Sequence, residues 1–371
     1  MKNIDQDKIF EEFKSIQYKK RNQNFCNDIT CCIPTFNAGP DFKYVVSSIK
    51  NQNINKIIIV DSESTDETLE IARKYDCEIY TIKQNDFSHS KARNFLLSKV
   101  ETSYVFFTVQ DAILSNLDVL AKMKIAMSEM KISALSDYQI PRSDADQYCY
   151  IVNKIHNDFF YNFKDQSFQI FDKTDSTDRK ASQLDNVCTL YNANDLKKIR
   201  FEGSYAEDIV VGINLLKNGK TIGRSKFGPV IHSHSRPAEY FFRRSFVDNF
   251  NLKLIWPNKT KFKEKIELSK LKFNLSLLYI YIYLFNFKKI NKINFFSNFK
   301  TRYQFSASIF SNLLLSFTHR ISYFKKNSIK KLNEDTINKA MCDVVGIYLS
   351  ENFHNFTPEE QRILKDYFKG I

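Results

Sequence analysis

Between residues 29 and 130, short apolar runs alternate with amphipathic stretches, and no other feature constrains the fold as strongly. Ile29–Ile33, Ile57–Val60, Glu78–Ile82 and Tyr104–Val109 are short, mostly β-branched or aromatic, and read as strands. Asp41–Gln52 reads as a helix that places Phe42, Val45, Val46 and Ile49 on one face. A second helix is expected from Ser64, with Glu67 completing a capping box, to about Tyr75. Ser88–Lys99 and Leu117–Met130 read as two more. Strands and helices alternating at this spacing predict βαβ units and a parallel sheet. Ligands of such sheets sit beyond the carboxyl ends of the strands. The residues there are Pro34–Asn37, Asp61–Ser64 and Gln110–Asp111, so two apolar strands run straight into carboxylates.

A nucleotide site is the natural expectation at that edge, and glycine decides which kind. The dinucleotide fingerprint and the P-loop both need several glycines after the first strand. Only Gly39 precedes Gly203, which excludes the ordinary dehydrogenase and kinase readings. After Met130 the pattern loosens. Ile132–Ile140 reads as a strand, residues 148–171 as an aromatic-rich helix, 172–182 as a polar loop and 186–192 as a strand. Residues 206–220 form an amphipathic helix with Glu207 and Asp208 at its start and Gly219 at its C-cap. Residues 229–236 read as a short strand whose His232 and His234, spaced i, i+2, point to one side.

Seven pieces, in order, resemble the family 2 glycosyltransferases of GT-A fold, and within them the rhamnosyltransferase-like group: IPTFNAGP (33–40), IIIVDSESTDET (57–68), FSHSKARN (87–94), TVQDAI (108–113), YQIPRSDAD (138–146), AEDIVVGINLLKNG (206–219) and VIHSHS (230–235). The resemblance spans roughly residues 28–250. It implies an α/β nucleotide-diphospho-sugar transferase domain with a mostly helical C-terminal extension. By position it implies that Thr35 and Asn37 line the base and ribose pocket and that Asp61 accepts from the base. Arg93 would lie near the base and diphosphate, with Gln110 and Asp111 in the donor site. Asp111 matches the last acid of the family's DxD motif, the ligand of a divalent cation, Mg²⁺ or Mn²⁺, with His234 beside it. Asp208, with Glu207 as its neighbour, matches the base that deprotonates the acceptor hydroxyl. Arg142 and His232 are expected near the sugar or acceptor. Val109 stands where the first DxD acid would be, which disfavours a ribose contact and fits a dTDP-rhamnose donor.

A cation bridging a diphosphate leaving group stabilises its developing charge, and Mg²⁺ needs only one or two protein carboxylates when phosphates and water supply the rest. Asp111 can therefore serve as the sole acidic ligand. The activity implied is inverting transfer of a sugar to a glycan or lipid-linked hydroxyl in bacterial surface polysaccharide synthesis. Two readings compete with it: a catalytically silent sugar-nucleotide-binding scaffold, and a nucleotidyltransferase of similar fold.

Charge marks off the C-terminal third. The chain carries a formal +13, but residues 251–332 hold 17 Lys/Arg against Glu264 and Glu267, a local +15 that leaves −2 for the remainder. The longest nearly apolar run there, 275–285, is far short of the roughly 20 residues a spanning helix needs. Basic, aromatic segments suit an anionic membrane surface, and no nucleic-acid-binding motif accompanies the charge. The expected organisation is an N-terminal helical arm (1–27), the transferase domain (28–250), the basic segment (251–332) and a helical tail (333–371) open to homodimerisation. A polar N-terminus and seven cysteines without a CxxC pair fit a reduced, cytoplasmic protein, peripheral on the inner face of the membrane.

Overall fold

The computed structural model describes residues 26–163, 167–176, 178–256, 334–351, 353–355 and 357–368. The expected N-terminal arm lies outside them, except that Cys26 and Asn27 open the first strand, and so does the basic segment beyond residue 256. The described chain falls into two compact units. One holds the residues up to Ala145 together with Cys149–His234, and the other holds Asp146–Tyr148 with the residues from Ser235 onward.

The first unit follows the expected alternation of strand and helix up to Thr108. Strands β1 (Cys26–Thr35), β2 (Ile54–Asp61), β3 (Glu78–Thr81) and β4 (Tyr104–Thr108) alternate with helices α1 (Phe42–Lys50), α2 (Thr68–Lys74) and α3 (His89–Ser98). These four strands pair in parallel in the order β3-β2-β1-β4. Side chains alternate between two cores. Cys31, Ile33, Ile57, Ile59 and Phe106 face one side with Phe42, Val46 and Ile49 of α1. Cys32, Ile58, Val60, Val105 and Phe107 face the other with Ala92 and Leu96 of α3. Both faces are covered, which explains why these strands read as continuous apolar runs.

Beyond β4 the sheet departs from the all-parallel expectation. The remaining strands are β5 (Ile113–Leu114), β6 (Ile132–Ile140), β7 (Phe168–Phe171), β8 (Cys188–Asn192) and β9 (Thr221–Ile231), with α4 (Val119–Met130), α5 (Gln147–Phe160), α6 (Arg179–Ser182), α7 (Ala193–Ile199) and α8 (Glu207–Lys217) between them. The full order is β3-β2-β1-β4-β8-β6-β9-β5, with β7 also on β9. β8 runs antiparallel to both β4 and β6, while β9 is parallel to β6 and antiparallel to β5 and β7.

Three local readings are corrected. Residues 148–171 are not one helix: α5 ends at Phe160, and Phe168–Phe171 become an edge strand on β9. An apolar aromatic run does not reveal its period, and pairing with β9 decides it. The strand read over 229–236 is the end of the much longer β9, and both histidines lie past it. Ser64 does not cap a helix. α2 begins at Thr68, and the Ser64 hydroxyl is spent on Asp61 and on the Asn37 amide.

A bulge interrupts the pairing of β6 with β9. Between the pairs Asp137↔Ser225 and Gln139↔Val230, β6 contributes one residue and β9 four. The extra amides of Phe227 and Gly228, with the Ser225 hydroxyl, donate to the buried Asp137 carboxyl, whose pKa burial pushes up to about 8. Such irregularities re-aim the side chains next to them. On α8, a Cβ added at Gly212 would stand 2.1 Å from the Ser182 carbonyl oxygen, so only glycine lets α8 press against the segment leading into β8.

The second unit contains α9 (Ala238–Ile255), α10 (Glu334–Glu351) and α11 (Pro358–Tyr367). Phe246 stacks on Phe368 with centroids 3.9 Å apart, and Asn249 donates to Ser350 at 2.6 Å in the buried α9–α10 contact. Among the described residues no helix is long and apolar enough to cross a membrane, and none of the seven cysteines forms a disulfide.

Candidate active site

Two loops at the carboxyl edge are zipped together by side chains. Thr35 and Asp61 are register partners at the ends of β1 and β2, and the Thr35 hydroxyl donates to Asp61 Oδ1 at 2.8 Å. Ser64 adds its hydroxyl to Oδ1 at 2.6 Å and its amide to Oδ2 at 2.8 Å. Asp61 is 0% exposed. Its carboxylate accepts three hydrogen bonds that hold the loop, and its complete burial removes the contact with a base expected of it. Asn37 has a positive φ of 44°. Its amide donates to the Ser64 hydroxyl and its Oδ1 accepts from the Thr65 amide, so it too is a brace. Gln110 grips Phe36 through both main-chain groups, accepting from the amide at 2.7 Å and donating to the carbonyl at 3.0 Å. That leaves the Phe36 ring 40% exposed at the mouth. Phe36 was not among the residues expected at the site, although a large aromatic between Thr35 and Asn37 was the signal for it.

Arg93 corrects a larger expectation. It lies on α3, 4% exposed, and pairs with the buried Glu207 rather than facing the mouth. Its neighbours act on the same target. Ser90 donates to the Gly203 carbonyl, and Asn94 both donates to and accepts from the Phe201 backbone. The FSHSKARN motif is thus a clamp on the loop that delivers α8. Removing one partner of a buried ion pair leaves an uncompensated charge, at a cost of about 3–5 kcal/mol. Glu207→Ala should lower the urea midpoint accordingly, and the double Arg93→Met/Glu207→Met variant should recover much of the loss. A single variant as stable as the double would show the pair to be dispensable.

Glu207 is paired with Arg93, and Asp208 has no ion-pair partner among the described residues. Its Oδ2 accepts from the Asn186 amide at 3.3 Å and its Oδ1 from the Ile209 amide at 2.8 Å. Burial, then the negative charges of Glu207 and Asp185, push its pKa up to about 7. A carboxyl in this state exchanges a proton near neutral pH.

The metal candidates come together through register. Antiparallel pairing sets Ile113 opposite Ile231 and Leu114 opposite Val230. Continued two residues past the sheet, the same register sets Asp111 against Ser233, between the two histidines. His232 Nε2 lies 3.4 Å from Asp111 Oδ1, and His234 Nδ1 lies 3.3 Å from Oδ2. One ligand atom from each of the three falls within 4.8 Å of the others. Burial works against ionisation of Asp111, but the hydrogen bond from His232 and the charge that both histidines offer when protonated outweigh it and hold the carboxyl below the usual range. One carboxylate and two imidazoles converging on a point suit a divalent cation that still takes phosphate and water oxygens.

His232 is oriented from behind: its Nδ1 is 2.7 Å from Gln139 Oε1. Gln139 donates in turn to Asp185. Neither residue was singled out from the sequence, and nothing local could have done so. Arg142 stands beside the histidines, its amide donating to Ser233 at 3.1 Å, but its guanidinium is tied to Asp41 at 2.8 Å and to Asp144 at 3.3 Å.

Known proteins resemble this chain in sequence and in fold. Residues 30–133 match Glycosyl transferase family 2. The O-antigen chain rhamnosyltransferase RfbN of Salmonella typhimurium is 28% identical over 227 residues, covering 59% of this chain and 70% of the relative. The O-antigen chain rhamnosyltransferase WbaN of Salmonella anatum is 28% identical over 236 residues, covering 58% and 70%. Among solved structures, a mannosyltransferase of Pyrobaculum calidifontis, in complex with GDP-Man and Mn²⁺, shares the fold at TM-score 0.50 and 13% identity, covering 92% of this chain and 94% of that one.

Proposed function

We propose that this family 2 glycosyltransferase, rhamnosyltransferase-like in sequence, moves rhamnose from dTDP-rhamnose to a hydroxyl of a growing, lipid-linked surface glycan, with inversion at the anomeric carbon. One observation carries the reading. The Asp111–His232–His234 group stands at the carboxyl edge of the sheet, while a separate acid, Asp208, is held at the start of α8 with a pKa near neutrality.

The division of labour follows from chemistry. Asp111, His232 and His234 would hold a divalent cation, which when bound supplies Lewis-acid stabilisation of the departing diphosphate. Two imidazoles favour Mn²⁺ over Mg²⁺, which prefers an all-oxygen shell. The exposed Phe36 ring offers a face on which a base can stack, while Gln110, Asn37, Thr35 and Asp61 hold its loop rigid. Asp208 takes the proton of the acceptor hydroxyl as it attacks from the side opposite the leaving group. Val109 offers no oxygen to a ribose hydroxyl, in keeping with a deoxyribose donor, and both rhamnosyltransferase relatives support the sugar.

A thermal-shift screen with Mn²⁺ tests the donor. A ligand of the native state stabilises by RT ln(1 + [L]/Kd). dTDP-rhamnose should raise the midpoint more than UDP-glucose or GDP-mannose at equal concentration. A larger shift with a ribonucleotide sugar would overturn the deoxyribose reading.

Residues 251–332 are proposed to dock on anionic membrane at the cytoplasmic face, bringing the cleft to a lipid-linked acceptor. The attraction is about 1 kcal/mol per basic residue near the surface and fades with salt. Flotation with phosphatidylglycerol vesicles should be strong at 50 mM salt and lost at 0.5 M. Equal flotation with neutral vesicles would reject electrostatic docking.

A further inference from the structure

The Gln139 side chain plays no part in the chemistry above and Asp185 enters it only through its charge near Asp208, yet their geometry is restrictive. The Asp185 carboxylate can only accept hydrogen bonds. Its Oδ1 takes one from the Val187 amide at 3.0 Å, and its Oδ2 takes one from Gln139 Nε2. The Gln139 amide group is thereby fixed with its NH₂ toward Asp185, so its carbonyl oxygen faces His232 Nδ1 at 2.7 Å. A carbonyl oxygen is also only an acceptor. His232 Nδ1 must then carry the proton, and in the neutral ring Nε2 presents its lone pair. That lone pair stands 3.4 Å from Asp111 Oδ1. Two electron-rich atoms aimed at each other are repulsive unless a positive charge lies between them.

The supporting frame is rigid. The bulge that ends with the Gln139↔Val230 pair sets where Gln139 leaves the sheet, the His232 amide donates to the Ile140 carbonyl at 2.9 Å, and Asn157 donates to the Gln139 main-chain carbonyl at 2.7 Å. The turn that carries Asp185 also carries Asn186, whose amide donates to Asp208.

We propose that Gln139 and Asp185 are positioning residues for a divalent cation: the Asp185–Gln139 hydrogen bond imposes the Nδ1–H tautomer on His232 and so turns Nε2 into a ligand. This rests on the reading of Asp111, His232 and His234 as a cation site. Because Asp185 and the Asp208 contact share one turn, the same pair ties the cation site to the acid at α8. Outer partners of ligating histidines typically contribute 10–100-fold in metal affinity.

The test is a titration of Mn²⁺ with the full chain in the presence of dTDP, reading free Mn²⁺ by electron paramagnetic resonance. Gln139→Leu and Asp185→Ala should each weaken Mn²⁺ binding about 10–100-fold. Asp185→Asn keeps an acceptor for the Gln139 amide and should remain within about threefold of the parent, a rescue that a merely structural role would not give. Should a variant fail to fold, the imidazole ¹⁵N spectrum of the unaltered, metal-free protein still decides, with His232 assigned by comparison with His232→Asn. Protonated Nδ1 and bare Nε2 are expected at pH 8, and the opposite tautomer would overturn the proposal. If the unaltered chain binds no Mn²⁺, the cation reading itself falls and this role falls with it. If it binds Mn²⁺ and Gln139→Leu binds it equally well, only the positioning role is overturned.

Discussion

Asp111→Ala is expected to abolish cation-dependent binding of a nucleoside diphosphate while leaving the fold intact. Asp111 is the only carboxylate in the three-residue group, and its two oxygens address one histidine each. Without it, two neutral imidazoles must bind a hard dication with no protein charge to offset its lost hydration. The side chain sits in a loop past β4 and is only half-buried, so truncation leaves no core cavity. Calorimetry with dTDP should show Mn²⁺-dependent binding for the parent and none above the metal-free level for the variant, at an unchanged thermal midpoint. Equal Mn²⁺ dependence in both proteins would remove Asp111 from the cation site. Chelation of the parent should mimic the variant.

The second large effect is expected at Asp208. Asp208→Asn preserves shape and removes only the proton acceptor, and positioned general bases contribute about 10²–10⁴-fold. Donor binding should persist while transfer falls by that factor. The raised pKa adds a signature. A carboxyl with a pKa of about 7 is protonated below that pH and cannot accept a proton. Parent kcat should therefore fall as pH drops through about 7, tenfold per unit well below it, while the residual rate of the variant should lack that step. Near-normal turnover in Asp208→Asn would reject the assignment. The buried ion pair of Glu207 with Arg93 makes Glu207 a poor alternative base, since its charge is already committed.

The sequence was most legible where chemistry is local. Runs such as Ile57–Val60 are too short and too apolar to be anything but covered strands beside amphipathic helices, and β1 to β4 form where expected. Acids at strand ends and at a helix start are visible in one dimension, and so is the His232/His234 pair. It was least legible where a side chain's partner is far along the chain. Arg93 and Glu207 are 114 positions apart, and Gln139 and His232 are 93. No local pattern records that the FSHSKARN helix grips the α8 loop.

What the sequence determined by itself, then, is the α/β alternation, the glycine-poor edge that rules out a P-loop, the basic character of residues 251–332, and the residues proposed here to bind a cation or move a proton. Tertiary structure alone decided which of them meet. The antiparallel register of β5 on β9 sets Asp111 between two histidines that follow a different strand. The bulge between β6 and β9 precedes the Gln139 that reaches one of those histidines from behind. Ser64 and Thr35 close over Asp61 because β1 and β2 end level with each other. Register has this authority because one residue of slip turns a side chain to the opposite face, and it is fixed by the summed burial of both cores, which no short stretch of sequence contains.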